Sequence, residues 1–384
     1  MEAYLDNSAT TACHPKAAEL MVRLLSEDFG NPSSLHTKGM IAEQYLTEAK
    51  KKIARVLKVQ EKEILFTSGG TESNNMALIG SAMANMRAGK HIITTAIEHA
   101  SITSPLAFLE EQGFEITYLK VDSCGIISLE ELEKAMREDT ILVSVMHVNN
   151  EIGAVEPIEQ IGKIVKQKNP NCIFHVDAIQ SFGKFIIHPK KCNIDLLSVS
   201  GHKIHGPKGS GILFIKEKTR IKPLILGGGQ QKGMRSGTEN VPAYAGLGVA
   251  VEEIYTDFEE KIKRLYELRK YFIEEVLKID GVSVNGKHNE EAAPHIISVS
   301  VKNVRAEVLL HSLEEKGVYV SSGSACSSNK PHLSGTLKNI GLPKDLLDST
   351  VRFSMCVNTT KEELDYALLV MKELVPRLAM YTRH

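Results

Sequence analysis

Lys203 closes the stretch Ser198-Val199-Ser200-Gly201-His202-Lys203, between an apolar run at 194–199 and a second at 206–215. A lysine set there, beside Ser, Gly and His, is poorly placed for a solvated charge. An ammonium group partly withdrawn from water loses its proton more readily, and the neutral amine forms a Schiff base with an aldehyde. Pyridoxal phosphate is the aldehyde cofactor this chemistry suggests. An ordinary strand-end lysine fits the same segment, so other stretches must decide.

Several polar groups recur in one kind of place. A short apolar strand at 64–66 runs into Thr67-Ser68-Gly69-Gly70-Thr71-Glu72-Ser73, ahead of a helix expected from about 74 to 86. Glycines before a helix let backbone N–H groups approach an anion, so Gly70 and Thr71 suit a phosphate, although a plain helix cap reads the same. The next apolar strand, 91–95, leads to Glu98-His99-Ala100-Ser101. A third, 141–146, leads to His147-Val148-Asn149-Asn150-Glu151, and a fourth, 173–176, ends in Asp177-Ala178-Ile179-Gln180. Taken singly, His99 reads as a core histidine, Asp177 as a helix cap and Asn150 as a turn former.

Strands alternating with helical patterns, and apolar along their whole length, imply an α/β fold with a mostly parallel sheet covered on both faces. Ligands of such sheets bind beyond the carboxyl ends of the strands. That rule gathers Thr71, His99, Asn150, Asp177, Gln180 and Lys203 at one rim. The bland readings then weaken together.

The length of 384 residues favours two domains. The expected division is a large domain at 16–255 and a smaller α+β domain built from 1–15 and 256–384. A long helical pattern from about 243 to 278, interruptible near Asp257, bridges them. The first 15 residues read as an extended arm whose Asp6–Thr11 loop suits a position over the site. In the smaller domain, Ser321-Ser322-Gly323-Ser324-Ala325-Cys326-Ser327-Ser328 carries a cysteine among small residues, where a thiol is accessible. Arg352 lies in a short strand, where its planar fork suits a carboxylate.

Composition excludes several classes. With 42% hydrophobic and 24% charged residues and a net charge of −1, the chain offers no field for nucleic acid or anionic lipid. No apolar run approaches membrane-spanning length and the N-terminus has no leader pattern, so a cytoplasmic protein is expected. Six scattered cysteines without a C-x-x-C pair argue against a zinc site or a disulfide framework, and no metal is expected.

These stretches, together with Tyr4-Leu5-Asp6, Gly30-Asn31-Pro32-Ser33-Ser34, Arg235-Ser236-Gly237-Thr238 and Val351-Arg352-Phe353-Ser354, resemble the fold-type I pyridoxal phosphate enzymes. The specific likeness is to the NifS/IscS-type cysteine desulfurases, in family order from residue 4 to beyond 354. The resemblance implies that Lys203 carries the cofactor, Asp177 pairs with the ring nitrogen, Gln180 bonds the phenolic oxygen, and His99 stacks on the ring and moves protons. It further implies phosphate contacts from Gly70, Thr71, Ser200 and His202, with Thr238 supplied by the partner subunit of a homodimer. Asn150 and Arg352 would hold the carboxylate of L-cysteine, and Cys326 would accept its sulfur as a persulfide for an acceptor protein in iron–sulfur cluster assembly or tRNA thiolation. The chain departs from the family in having no second arginine soon after Arg352 and no Leu-Glu-Pro-Ser run after Cys326. Selenocysteine lysis, another fold-type I reaction on a small amino acid, and a docking protein with lapsed catalysis are the rival readings.

Overall fold

The computed structural model describes residues 1–322 and 333–380. Thirteen strands are present among them: β1 (Ala3–Tyr4), β2 (Ile64–Thr67), β3 (His91–Thr95), β4 (Glu115–Leu119), β5 (Thr140–Met146), β6 (Ile173–Asp177), β7 (Leu196–Ser200), β8 (Gly211–Ile215), β9 (Val282–Asn285), β10 (Ile296–Val301), β11 (Val318–Tyr319), β12 (Ser321–Ser322) and β13 (Thr350–Ser354). Seven form the central sheet in the order β2-β8-β7-β6-β5-β3-β4. β8 runs antiparallel to both its neighbours, and the other pairs are parallel.

Burial along the strands follows from helices on both faces. Phe174, Val176, Leu197 and Val199 face the helices Thr37–Leu57, Ile158–Lys168 and Val241–Tyr255. Ile173 and Leu196, offset by one residue, face the opposite way with Ile92, Leu142 and Leu213 against Ile102, Leu106 and Leu109 of the helix Ala100–Glu111. Period-two alternation between two apolar layers is the signature of a sheet buried on both faces. One polar rung crosses the core: His175 lies 2.8 Å from Ser144 Oγ and 2.9 Å from Ser198 Oγ, and burial pushes its pKa down to about 3.

A second apolar cluster combines residues 3 and 5 with residues between 265 and 375 around a four-stranded antiparallel sheet, β12-β13-β10-β9. The bridging pattern is two helices, Val241–Tyr255 and Phe258–Val276, broken where Asp257 adopts φ +50°. Two elements differ from expectation. The helix after β2 begins at Gly70 rather than near 74 and runs to Asn85 through a π-turn at Met76–Gly80. The edge strand β4 is unmarked in the sequence, because Glu115 and Tyr118 face solvent, only Leu119 is buried, and no continuous apolar run signals it.

Candidate active site

β2, β3, β5, β6 and β7 all end at one rim of the sheet, and a cavity of about 260 Å³ opens there. It is lined by Gly70, Thr71, His99, Asn150, Asp177, Gln180, Ser200, His202, Lys203 and Arg352 among others. Ten of the residues singled out from sequence thus converge. Thr238 does not: it is exposed and away from the cavity, in a loop tied to the large sheet's helix by Arg235 Nε donating to Glu72 Oε1 at 3.0 Å. Cys326 lies outside the described residues.

The lysine turn is held from two sides. Lys203 Nζ donates to the carbonyls of Ser8 (2.6 Å) and Ala9 (2.7 Å) in the N-terminal arm. Thr11 Oγ1 donates to the His202 carbonyl at 2.9 Å and accepts from His205 N at 2.8 Å. Behind the turn, the buried Lys184 donates from Nζ to the Lys203 carbonyl at 2.7 Å, and burial lowers its pKa to about 8. The arm therefore does lie over the site, as its loop-like sequence suggested.

Asp177 is deeply buried at the end of β6. Its Oδ1 accepts from Ile179 N (2.9 Å) and its Oδ2 from Asn74 Nδ2 (2.8 Å), and among the described residues it forms no ion pair. Burial pushes its pKa up, against the pull of those two donors and of the His99 and Lys203 charges. A carboxylate kept dry without a contacting cation suits a ligand that brings one. The protonated ring nitrogen of pyridoxal phosphate is such a cation.

The opposite end of the cavity suits a phosphate. Gly69 takes φ +153°, which leads the chain into the helix at Gly70, and Gly69, Gly70 and Thr71 border one hollow with Ser200 and His202. A Cβ on Gly70 would lie 2.2 Å from Ile179 Cδ1, so a larger residue there obliges the Ile179 side chain, on the turn after β6, to move. His202 Nδ1 is 3.2 Å from Thr10 Oγ1; burial, with the Lys203 and Lys208 charges, pushes its pKa down to about 4. The residues present fit pyridoxal phosphate at both ends.

Arg352, on β13, enters from the smaller sheet. Its Nη2 donates to Asp6 Oδ1 and its Nη1 to the Asn150 carbonyl, both at 2.8 Å, while Nε is buried with no partner among the described residues. Gln180 Nε2 donates to the Ser8 carbonyl (3.0 Å), and His295 Nε2 lies 3.4 Å from Gln180 Oε1. His99 caps the helix Ala100–Glu111, its Nδ1 accepting from Ser101 N at 3.1 Å. Burial holds its pKa below the usual imidazole value, helped by Lys203 and opposed by Asp177.

Sequence reasoning passed over Asp6, Asn74, Ser101 and the Ser8 and Ala9 carbonyls. Asn74 and Ser101 look like ordinary polar residues in the first turns of helices. Only the side-by-side placement of those helix starts brings them to the site.

Residues 3–367 match the aminotransferase class-V family. The chain is 46% identical to the cysteine desulfurase IscS of Dictyoglomus turgidum over 98% of its length and 95% of that protein's. A solved NifS-like protein superposes with a TM-score of 0.93 at 38% identity, covering 98% of this chain and all of that one. A structure described as SspA in complex with cysteine gives a TM-score of 0.79 at 35% identity, covering 93% of this chain and all of that one. The chain belongs to the class-V aminotransferase family of pyridoxal phosphate enzymes, among the cysteine desulfurases of the IscS and NifS type.

Proposed function

We propose that this protein converts L-cysteine to L-alanine, with pyridoxal phosphate as cofactor, and passes the sulfur to Cys326. The observation that carries the reading is the convergence in one cavity of the Lys203 amine, the dry Asp177 carboxylate and the Arg352 guanidinium. When bound, pyridoxal phosphate supplies an aldehyde that captures amines and a ring that withdraws electrons from the substrate α-carbon.

Lys203 would hold the cofactor through its amine and, when released, would serve as base for the substrate α-proton. Asp177 would keep a proton on the ring nitrogen. Gly70, Thr71, Ser200 and His202 would hold the phosphate, and Gln180 would donate to the phenolic oxygen. Arg352 and the Asn150 side chain orient the substrate carboxylate, while His99 covers the ring. The Cys326 thiolate then attacks the substrate sulfur: an S–S bond forms, the C–S bond breaks, and the released carbon takes a proton to become alanine. The balance is L-cysteine plus enzyme thiol giving L-alanine plus enzyme persulfide. An acceptor protein removes the sulfur for iron–sulfur cluster assembly or tRNA thiolation in the cytoplasm.

We read the working unit as a homodimer in which Thr238 serves the partner's phosphate site. Support comes from its exposed position away from its own cavity and from Val22, Leu25, Phe29, Leu35 and Met40, large apolar side chains left exposed on neighbouring segments. The division into 16–255 and 1–15 with 256–384 belongs to the same reading, supported by the separate apolar cluster of the smaller sheet.

The test is incubation with L-cysteine, quantifying alanine and sulfide and locating the added sulfur by mass spectrometry. Equal amounts of alanine and transferable sulfur, with the persulfide on Cys326, are expected. Turnover by Cys326→Ser near the wild-type rate would refute the sulfur-transfer step.

A further inference from the structure

We propose that Asn74 and Ser101 are positioning residues that fix the protonation state of His99, so that its imidazole is neutral and meets the cavity as an Nε2–H donor. Asn74 is fully buried and Ser101 nearly so. The Asn74 amide uses its two N–H groups on two acceptors: Asp177 Oδ2 at 2.8 Å and Ser101 Oγ at 2.9 Å. Because Ser101 Oγ accepts from Asn74, its own hydrogen is free to point at His99 Nδ1, 2.9 Å away. The Ser101 backbone N–H points at the same nitrogen, at 3.1 Å. Two donors converging on one ring nitrogen require a bare lone pair there.

The proton of neutral His99 therefore sits on Nε2, which makes no protein hydrogen bond among the described residues, on a ring that lines the cavity. Protonating Nδ1 would turn the hydroxyl away from it and oppose a backbone N–H that cannot move. His99 then enters the reaction as a donor, and the proton-accepting role falls to the Lys203 amine. The groups around the ring are Asp177 from the end of β6, His202 and Lys203 after β7, Arg352 from β13 and the adjacent Glu98. Asp177 favours an imidazolium and Lys203 disfavours it. The Asn74 amide links the Asp177 carboxylate to this arrangement, so one side chain orients both Asp177 and, through Ser101, His99.

The inference deepens the cofactor-site reading, and its test does not need turnover. Full-length protein containing 15N-labelled histidine is titrated with and without bound cofactor, and the His99 ring nitrogens are assigned by their loss in His99→Gln. In wild type, Nδ1 is expected bare and Nε2 protonated, with a titration midpoint below that of exposed histidines. Removing one of the two donors in Ser101→Ala raises the proton affinity about fivefold, a midpoint shift of roughly 0.7 pH unit. Asn74→Ala shifts it in the same direction, since the hydroxyl becomes free to turn, and Ser101→Thr keeps the wild-type midpoint. A protonated Nδ1 in wild type, or an unchanged midpoint in folded Ser101→Ala, overturns the inference. Ser101→Ala removes only a hydroxyl, so the result stands even where Asn74→Ala does not fold. Failure of the wild-type protein to bind pyridoxal phosphate would instead count against the cofactor-site reading.

Discussion

Asp6→Asn isolates the role of the carboxylate beside Arg352. The amide keeps an oxygen where Arg352 Nη2 now donates at 2.8 Å and removes only the charge. The Arg352 side chain is 5% exposed and that of Asp6 21%, so the pair is screened less than a surface pair and more than a fully buried one. A substrate carboxylate on the same guanidinium would stand about 6 Å from Asp6. At that distance two like charges repel by about 3 kcal/mol at an effective dielectric of 20, and by about 0.7 kcal/mol in bulk water. The partial exposure of Asp6 sets the expectation between those bounds, at about 1.4 kcal/mol, or a tenfold tighter binding of L-cysteine in the variant. Stability moves the other way, because the buried guanidinium loses its counter-charge: a cost of about 1–3 kcal/mol, read as a lower Tm. The assay is titration of the cofactor's visible absorbance with L-cysteine, and with cysteamine, which has no carboxylate. Tenfold tighter L-cysteine binding with unchanged cysteamine binding supports the argument. Equal or weaker L-cysteine binding in a folded variant refutes it.

Gly70→Ala forces a methyl to within 2.2 Å of Ile179 Cδ1, and the displaced cradle should retain pyridoxal phosphate at least tenfold less well, measured by equilibrium dialysis. Glu98 and Glu156 are buried carboxyl groups that desolvation raises to about 8 from an unfolded value of 4.5. The folded chain therefore holds more protons than the unfolded chain between those values, and stability falls as pH rises through that window. Buried His147 and His175 act oppositely below pH 6.5, so a declining Tm between pH 6.5 and 8 reports the buried carboxyl groups, to which Asp177 and Glu151, also raised by burial, add in the same direction. Glu98→Gln and Glu156→Gln should each flatten that decline, as read by calorimetry. Leu35→Asp, at a side chain 98% exposed in one chain, should shift light-scattering mass toward the monomer and lower cofactor retention together.

The sequence made the rim of the sheet legible because each strand there is a short apolar run with a hard stop, and the stop is where a chemically distinctive side chain sits. His99, Asp177 and Lys203 are visible on those grounds only jointly, since each by itself also reads as a core histidine, a helix cap or a strand-end lysine. The helix at Gly70 began earlier than its pattern indicated because Gly69 and Gly70 carry no apolar periodicity, yet the turn they permit needs them. Asn74 and Ser101 carry no signal of their own, since their contact joins the first turns of two different helices across 27 positions. The Ser8 and Ala9 carbonyls are backbone atoms, which no side-chain pattern reports. Arg352 could be singled out by its place in a short strand, whereas its pairing with Asp6 spans 346 positions and depends on the arm's path.

That path has a consequence for how the protein is made. The arm is synthesised first, but its anchors come late: the Lys203 amine is 195 positions downstream of Ser8, and Ser354, whose hydroxyl accepts from Ser8 N, is 346 positions downstream. At about 5–20 residues per second, the arm waits about 10–40 s on the ribosome for its lysine and roughly 17–70 s for its second anchor. A nascent chain halted between those two points has Lys203 but not the strand that pins the strap across it. The cavity is thus complete only once the strand carrying Ser354 has been added, well after the lysine.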